Sequence, residues 1–122
     1  MKKNIRIIAI VILMFMLAMM VVACGVPNNY VKGMEKMEGK GYSVSDVTTL
    51  SVSGSYLAFK ATDNDERMTA VYFPKSTESK TAEDFYAKTK NNSSSYTVKK
   101  TTAGNFILVY YGTDKAVKDF EK

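Results

Sequence analysis

Histidine and tryptophan are absent from the 122 residues, and cysteine occurs only once. Without histidine there is no zinc site of the Cys/His kind, no His-ligated haem, and no nucleophile that depends on an imidazole base. Negative charge is missing from the start of the chain, where Lys2, Lys3 and Arg6 precede the first carboxylate, Glu35. From Cys24 onward fourteen basic residues face twelve acidic ones, so the excess of +5 arises mostly in the first six residues. A nucleic-acid-binding domain needs a strongly basic folded part. This chain has a nearly balanced one, and no nucleic-acid partner is expected. No internal repeat and no Gly-rich phosphate loop is present, and the length suits one domain.

What is present is concentrated at the N-terminus. Residues 1–6, MKKNIR, form a positive head, and residues 7–23 are seventeen uncharged, mostly apolar residues ending at Ala23-Cys24. A basic head, an apolar middle and a small residue at the break make a secretory signal. At helical rise the run spans roughly 25 Å, marginal for a permanent membrane span. Val21-Val22-Ala23-Cys24 resembles the lipobox of bacterial lipoprotein precursors: aliphatic, small or aliphatic, Gly or Ala, then Cys. The resemblance implies that the Cys24 thiol takes a diacylglycerol carrying palmitate-like chains, that residues 1–23 are removed, and that Cys24 becomes the first mature residue. A thiolate is a strong nucleophile, and two acyl chains hold where one binds only reversibly. The alternative is an uncleaved signal anchor with Cys24 at the membrane edge. Both readings place the rest of the chain outside the cytoplasm, because basic flanks stay inside.

Residues 24–27 then read as lipidated cysteine plus tether, and residues 28–122 as a single α+β domain. Gly25–Asn28 reach at most about 14 Å when extended, so the domain is expected to sit close to its bilayer. Tyr30, Val31, Met34 and Met37 recur at helical spacing within 28–41, with Asn28 or Asn29 as cap. Residues 42–54 are strand-like with a change of phase near Asp46-Val47, and residues 55–62 and 67–74 alternate as clear strands around a turn at 63–66. Residues 76–92 form a second helix in which Thr81-Ala82-Glu83-Asp84 fits a capping box and Ala82, Phe85, Tyr86 and Thr89 make the buried stripe. Residues 96–101 and 106–112 form a second hairpin turning at Gly104, and 113–122 a closing helix with Thr113 as cap. The ending VYYGTDKAVKDFEK resembles the tail of small lipoproteins of Gram-positive bacteria, a likeness that carries no activity with it. The expected fold is an antiparallel sheet of about five strands, in the order α-β-β-β-α-β-β-α, with helices packed on one face.

Chemistry-bearing residues are few. Adjacent Glu83 and Asp84 diverge on a helix and cannot flank a bond, and Lys99-Lys100 lie on a strand with no group to lower their pKa. No catalytic residue, metal ligand or cofactor is expected, and the chain reads as no enzyme. With helices on one side, the other face of the sheet carries Tyr56, Ala58 and Lys60 beside Met68, Ala70 and Tyr72. The candidate interaction face is therefore Tyr56, Lys60, Met68 and Tyr72, unless the first helix or a loop covers it. An apolar, tyrosine-rich face suits an envelope protein or polymer. The leading function is a binding module held at the cell membrane. A structural or self-associating envelope lipoprotein is the alternative, and a small envelope enzyme a distant third.

Cys24→Ser tests the anchor. The full-length chain should lose its acyl mass by intact-mass spectrometry and move from the detergent to the aqueous phase on partitioning.

Overall fold

The computed structural model describes residues 25–122. Along them run α1 (Tyr30–Gly39), β1 (Ser43–Asp46), β2 (Leu57–Asp63), β3 (Glu66–Pro74), α2 (Lys75–Asn92), β4 (Thr97–Ala103), β5 (Phe106–Gly112) and α3 (Asp114–Glu121). The five strands form one antiparallel sheet in the order β1-β2-β3-β5-β4. Class, sheet and element order are those expected from the sequence. Among the described residues no helix is long and apolar enough to cross a membrane. The apolar run 7–23 and the motif Val21-Val22-Ala23-Cys24 lie outside the described residues.

Two tight turns set the register. Asp63 pairs with Glu66 around Asn64-Asp65, and Ala103 pairs with Phe106 around Gly104-Asn105. Asn64 and Gly104 take positive φ, 57° and 61°, which a two-residue hairpin turn demands. A two-residue loop pairs each odd-numbered position with an even-numbered one. Phe59 and Ala61 therefore share a face with Ala70 and Met68, while Ala58 and Lys60 share the other with Val71 and Thr69.

Both faces carry apolar side chains, and both are covered. On one, α1 and α3 bury Phe59, Ala61, Met68, Ala70, Tyr72, Leu108 and Tyr110 beneath Met37, Ala116, Val117 and Phe120. On the other, α2 brings Ala82, Phe85 and Tyr86 onto Ala58, Val71, Phe73, Val109 and Ile107. The loop 47–56 supplies Val47, Leu50, Val52 and Tyr56 to the same layer. The expectation of helices on one face is corrected: β3 is apolar on both sides, so one helical layer leaves half its surface in water. Residues 47–56 are not strand. After Val47 donates to the Ala58 carbonyl, the chain leaves the sheet and folds over it.

Local details follow from packing as much as propensity. Asn29 caps α1 by accepting from the Lys32 amide at 2.9 Å. Of the expected stripe, Met37 is buried and Tyr30 and Met34 pack against the core, but Val31 is 57% exposed. Its place is taken by Gly33, which is buried against Phe59 and Tyr72. The capping box at Thr81 does not start α2. The helix begins at Lys75 and kinks at Glu78, whose carboxylate accepts from the Thr81 hydroxyl and the Ser55 amide. The expected stripe of α2 does face inward, with Ala82 buried and Phe85, Tyr86 and Thr89 half-buried. Thr113 caps nothing by its side chain; its hydroxyl instead bonds the Arg67 backbone and ties α3 to β3.

Polar ties then lock α3 down. The Asp119 carboxylate accepts from the Tyr42 hydroxyl at 2.8 Å and from Lys115 Nζ at 3.0 Å. Desolvation pushes its pKa up, but those two bonds outweigh it and hold the group below the ordinary aspartate value. Glu121 accepts from Tyr110 at 2.7 Å and from Lys99 at 2.8 Å.

Gly33 yields a sharp stability test. A Cβ there would lie 2.8 Å from the Phe59 ring and 2.9 Å from the Tyr72 hydroxyl, both fully buried residues. Helix propensity alone favours Gly33→Ala by about 1 kcal/mol, whereas overpacking costs about 1–3 kcal/mol. Urea unfolding should show a net loss of about 1 kcal/mol or more, the opposite sign to propensity.

Candidate functional site

Coverage of the α2 face is incomplete. The helix crosses β3, β5 and β4, and the loop 47–56 covers the Ala58 end of β2. Among the described residues, neither α2 nor the loop 47–56 covers the corner near the β2–β3 turn. There a cleft of about 160 Å³ is lined by Lys60, Thr62, Arg67, Met68, Thr69, Tyr96, Tyr111 and Gly112.

Register builds this corner. Lys60 is paired with Thr69, and Thr69 with Tyr111, so Lys60, Thr69 and Tyr111 form one row across three strands. Thr62 and Arg67, themselves partners, form the next row toward the turn. Neighbouring strands lie about 4.8 Å apart, so Lys60 and Arg67 stand at diagonal positions on one face. Neither makes an ion pair among the described residues, where the pairs are Lys80–Asp84, Lys99–Glu121, Lys100–Glu83 and Lys115–Asp119. No carboxylate lines the cleft. Asp63 and Glu66 alternate to the other face, where they act on Tyr42 and Lys115.

The aromatic wall is stiffer. Tyr111 stands against Phe85 of α2, ring centres 6.2 Å apart. Burial pushes its hydroxyl above the ordinary phenol value, opposed by the Thr69 side chain. The site is thus two unpaired cations, two threonine hydroxyls and two tyrosines on a sheet. Such a surface holds an anionic group by charge and hydrogen bonds and stacks a flat or alkyl portion on the rings. Among the described residues no group of three His, Cys, Asp or Glu side chains converges. Glu83 and Asp84 are engaged separately by Lys100 and Lys80.

The four residues expected to form an interaction face are split. Lys60 is exposed and lies in the cleft. Tyr56 is on the same face but at the other end, where its hydroxyl accepts from the Leu50 amide and donates to the Thr48 carbonyl. Met68 is 2% exposed and Tyr72 is fully buried, both under α1 and α3. The grouping of Tyr56 and Lys60 with Met68 and Tyr72 on one open face is therefore corrected. It would need an even register, and the two-residue turn imposes an odd one. Arg67, Thr62, Thr69, Tyr96 and Tyr111 were missed as site residues. For Thr62, Arg67 and Thr69 the signal was the length of the turn at Asn64-Asp65; Tyr96 and Tyr111 reach the corner through the β3–β5 pairing.

The opposite end of the sheet holds the start of the described chain. Val26 packs against the core, and the Pro27 carbonyl accepts from the Tyr72 hydroxyl at 3.0 Å. Asn28 lies against Gly104, where a Cβ would come within 3.1 Å of the Asn28 carbonyl. Val26 and Pro27 therefore pack on the domain, inside the stretch expected to be short tether. A second cleft, of about 450 Å³, lies beside it between Gly25, Val26, Asn28, Thr101, Thr102, Tyr110 and Glu121.

Set against known protein families, curated proteins and solved structures, the chain matches none.

Tyr72→Phe keeps the ring and removes the donor to Pro27. Leaving that carbonyl unpaired should cost about 1 kcal/mol in urea unfolding. It should also raise amide exchange at Val26, Asn28 and Asn29 more than in the strands.

Proposed function

We propose that the protein is a lipid-anchored binding module of the bacterial cell envelope, whose Lys60–Arg67 corner takes an anionic group. The sequence motif Val21-Val22-Ala23-Cys24 supports the anchor and the location outside the cytoplasm. The observation that carries the binding role is the cleft itself, with two unpaired cations and no carboxylate in an otherwise covered sheet.

The placement of the corner suits this role. Tyr72, which bonds the Pro27 carbonyl, is five residue steps along β3 from Arg67, so the cleft stands roughly 17 Å along the sheet from the chain's attachment end. An anchor at Cys24 thus holds one end of the domain at the bilayer and presents the cationic corner away from it. The partner it suits is a phosphate- or carboxylate-bearing envelope polymer or an acidic segment of an envelope protein.

Self-association through the sheet edges is poorly served. β1 is only four residues long, and the outer strand β4 carries Lys99 and Lys100, each drawn to a carboxylate of an adjacent helix. Short and lysine-bearing edges resist pairing with another copy.

Lys60→Glu with Arg67→Glu tests the corner. Residues 25–122 should bind a short glycerol-phosphate polymer or polyglutamate in a salt-sensitive way. The double variant should bind about tenfold or more weakly, at about 1 kcal/mol or less for each surface charge removed and again for each reversed. Its urea midpoint should stay within error. Equal binding by both forms, or no binding of either polyanion, would contradict the assignment.

A further inference from the structure

Two large apolar side chains stand out as exposed among the described residues: Val31 at 57% and Leu57 at 49%. They are distant in sequence, yet both lie at the end of the sheet where the chain begins. Val31 is in the first turn of α1, two residues beyond the Asn29 cap. Leu57 opens β2 and is the register partner of Tyr72, the residue that bonds the Pro27 carbonyl. Tyr30, the neighbour of Val31, lines a groove with Leu57, Tyr56, Ala58 and Asp46. Lys32 and Lys75 are exposed at the same end, the latter through its amide bond to the Asn105 carbonyl of the Gly104 turn.

The geometry points to this end as a lipid-docking surface: Val31 and Leu57 enter the headgroup–acyl boundary of the leaflet that holds Cys24, with Lys32 and Lys75 at the headgroups. The inference rests on the anchoring proposed above and adds to it a fixed orientation. Where the chain emerges decides the occupant. Val26 and Pro27 are already pinned to the sheet, so only Gly25 separates these packed residues from Cys24, about 3.5 Å per residue at full extension. A lipid on Cys24 leaves this end no room to stand off from the bilayer. An apolar pair rimmed by lysines matches an interface with anionic lipid. Of the carboxylates at this end, Glu121 beside Gly25 is taken up by Tyr110 and Lys99, and Glu78 by the Ser55 amide and the Thr81 hydroxyl, which leaves Asp46 in the groove and Glu35 one turn on along α1. The cationic cleft at the other end is left free for its ligand.

The absence of tryptophan supplies the test. Val31→Trp, Leu57→Trp and Thr62→Trp each give a single indole, the last at the far end of the sheet. The full chain, extracted from membranes, is placed in phosphatidylglycerol–phosphatidylcholine vesicles with and without brominated acyl chains. The Val31→Trp and Leu57→Trp emissions should shift to the blue and fall about twofold with bromolipid, as expected for side chains about 5–10 Å into the interface. The Thr62→Trp emission should not change. Unquenched indoles at 31 and 57, or equal quenching at all three positions, overturn the docking surface. In a parallel arm, residues 24–122 of each variant are coupled through the Cys24 sulfur to a maleimide lipid. Quenching there, with no acyl mass on the native chain, upholds the surface and removes the natural anchor. Acyl mass on the native chain with unquenched indoles does the reverse.

Discussion

The number of residues in the β2–β3 turn decides which side chains this protein hides. With Asn64 and Asp65 alone between the paired Asp63 and Glu66, every side chain of β2 is assigned to a face. One more residue would exchange the two sets, since successive positions on a strand point to opposite sides. In the register adopted, Phe59 and Ala61 join Met68, Ala70 and Tyr72 in the larger core, and Ala58 joins Val71 and Phe73 in the smaller one. Two apolar faces then need two covers. α1 and α3 supply one, and α2 with the folded-back loop 47–56 supplies the other. What the second cover does not reach is the polar end of β2 and β3, where Lys60, Thr62, Arg67 and Thr69 stand on the surface.

Much of the architecture was legible because it is written in local periodicity. The closing helix with Ala116, Val117 and Phe120, the α2 stripe from Ala82 to Thr89, and the turn at Gly104 all fall where spacing and turn chemistry place them. Elements whose placement depends on distant residues were less legible. Val31 fits a helical stripe, yet Gly33 packs inward, because only a residue without Cβ fits against Phe59 and Tyr72. Residues 47–56 look like strand by composition, but their apolar side chains serve as a lid on the sheet. That choice is made by the exposed apolar side of β3, not by the segment itself.

Of the four residues expected to form the face, Lys60 and Met68 line the cleft, and only Lys60 is exposed there. The reason is parity. Charged and aromatic residues alternate on β2 and β3 under either register, so a face can be named from the sequence only when the loop length is fixed first. Tyr96 and Tyr111 come from a separate hairpin and reach the corner through the β3–β5 pairing, whose register no turn sets directly. Likewise the hydroxyls of Tyr42, Tyr72 and Tyr110 find partners 77, 45 and 11 residues away. These bonds let three tyrosines sit in or at the core, and they fasten α3 and the first described residues to the sheet.

The cationic corner at one end of the sheet and the first described residues at the other give the domain a direction. The most direct measurement is an NMR titration of ¹⁵N-labelled residues 25–122 with a short glycerol-phosphate polymer. The amides of Lys60, Thr62, Arg67, Thr69, Tyr96 and Tyr111 should shift together and saturate on one binding curve. Shifts centred on the outer surface of α2 or along the β4 edge, with those six amides unmoved, would contradict the account.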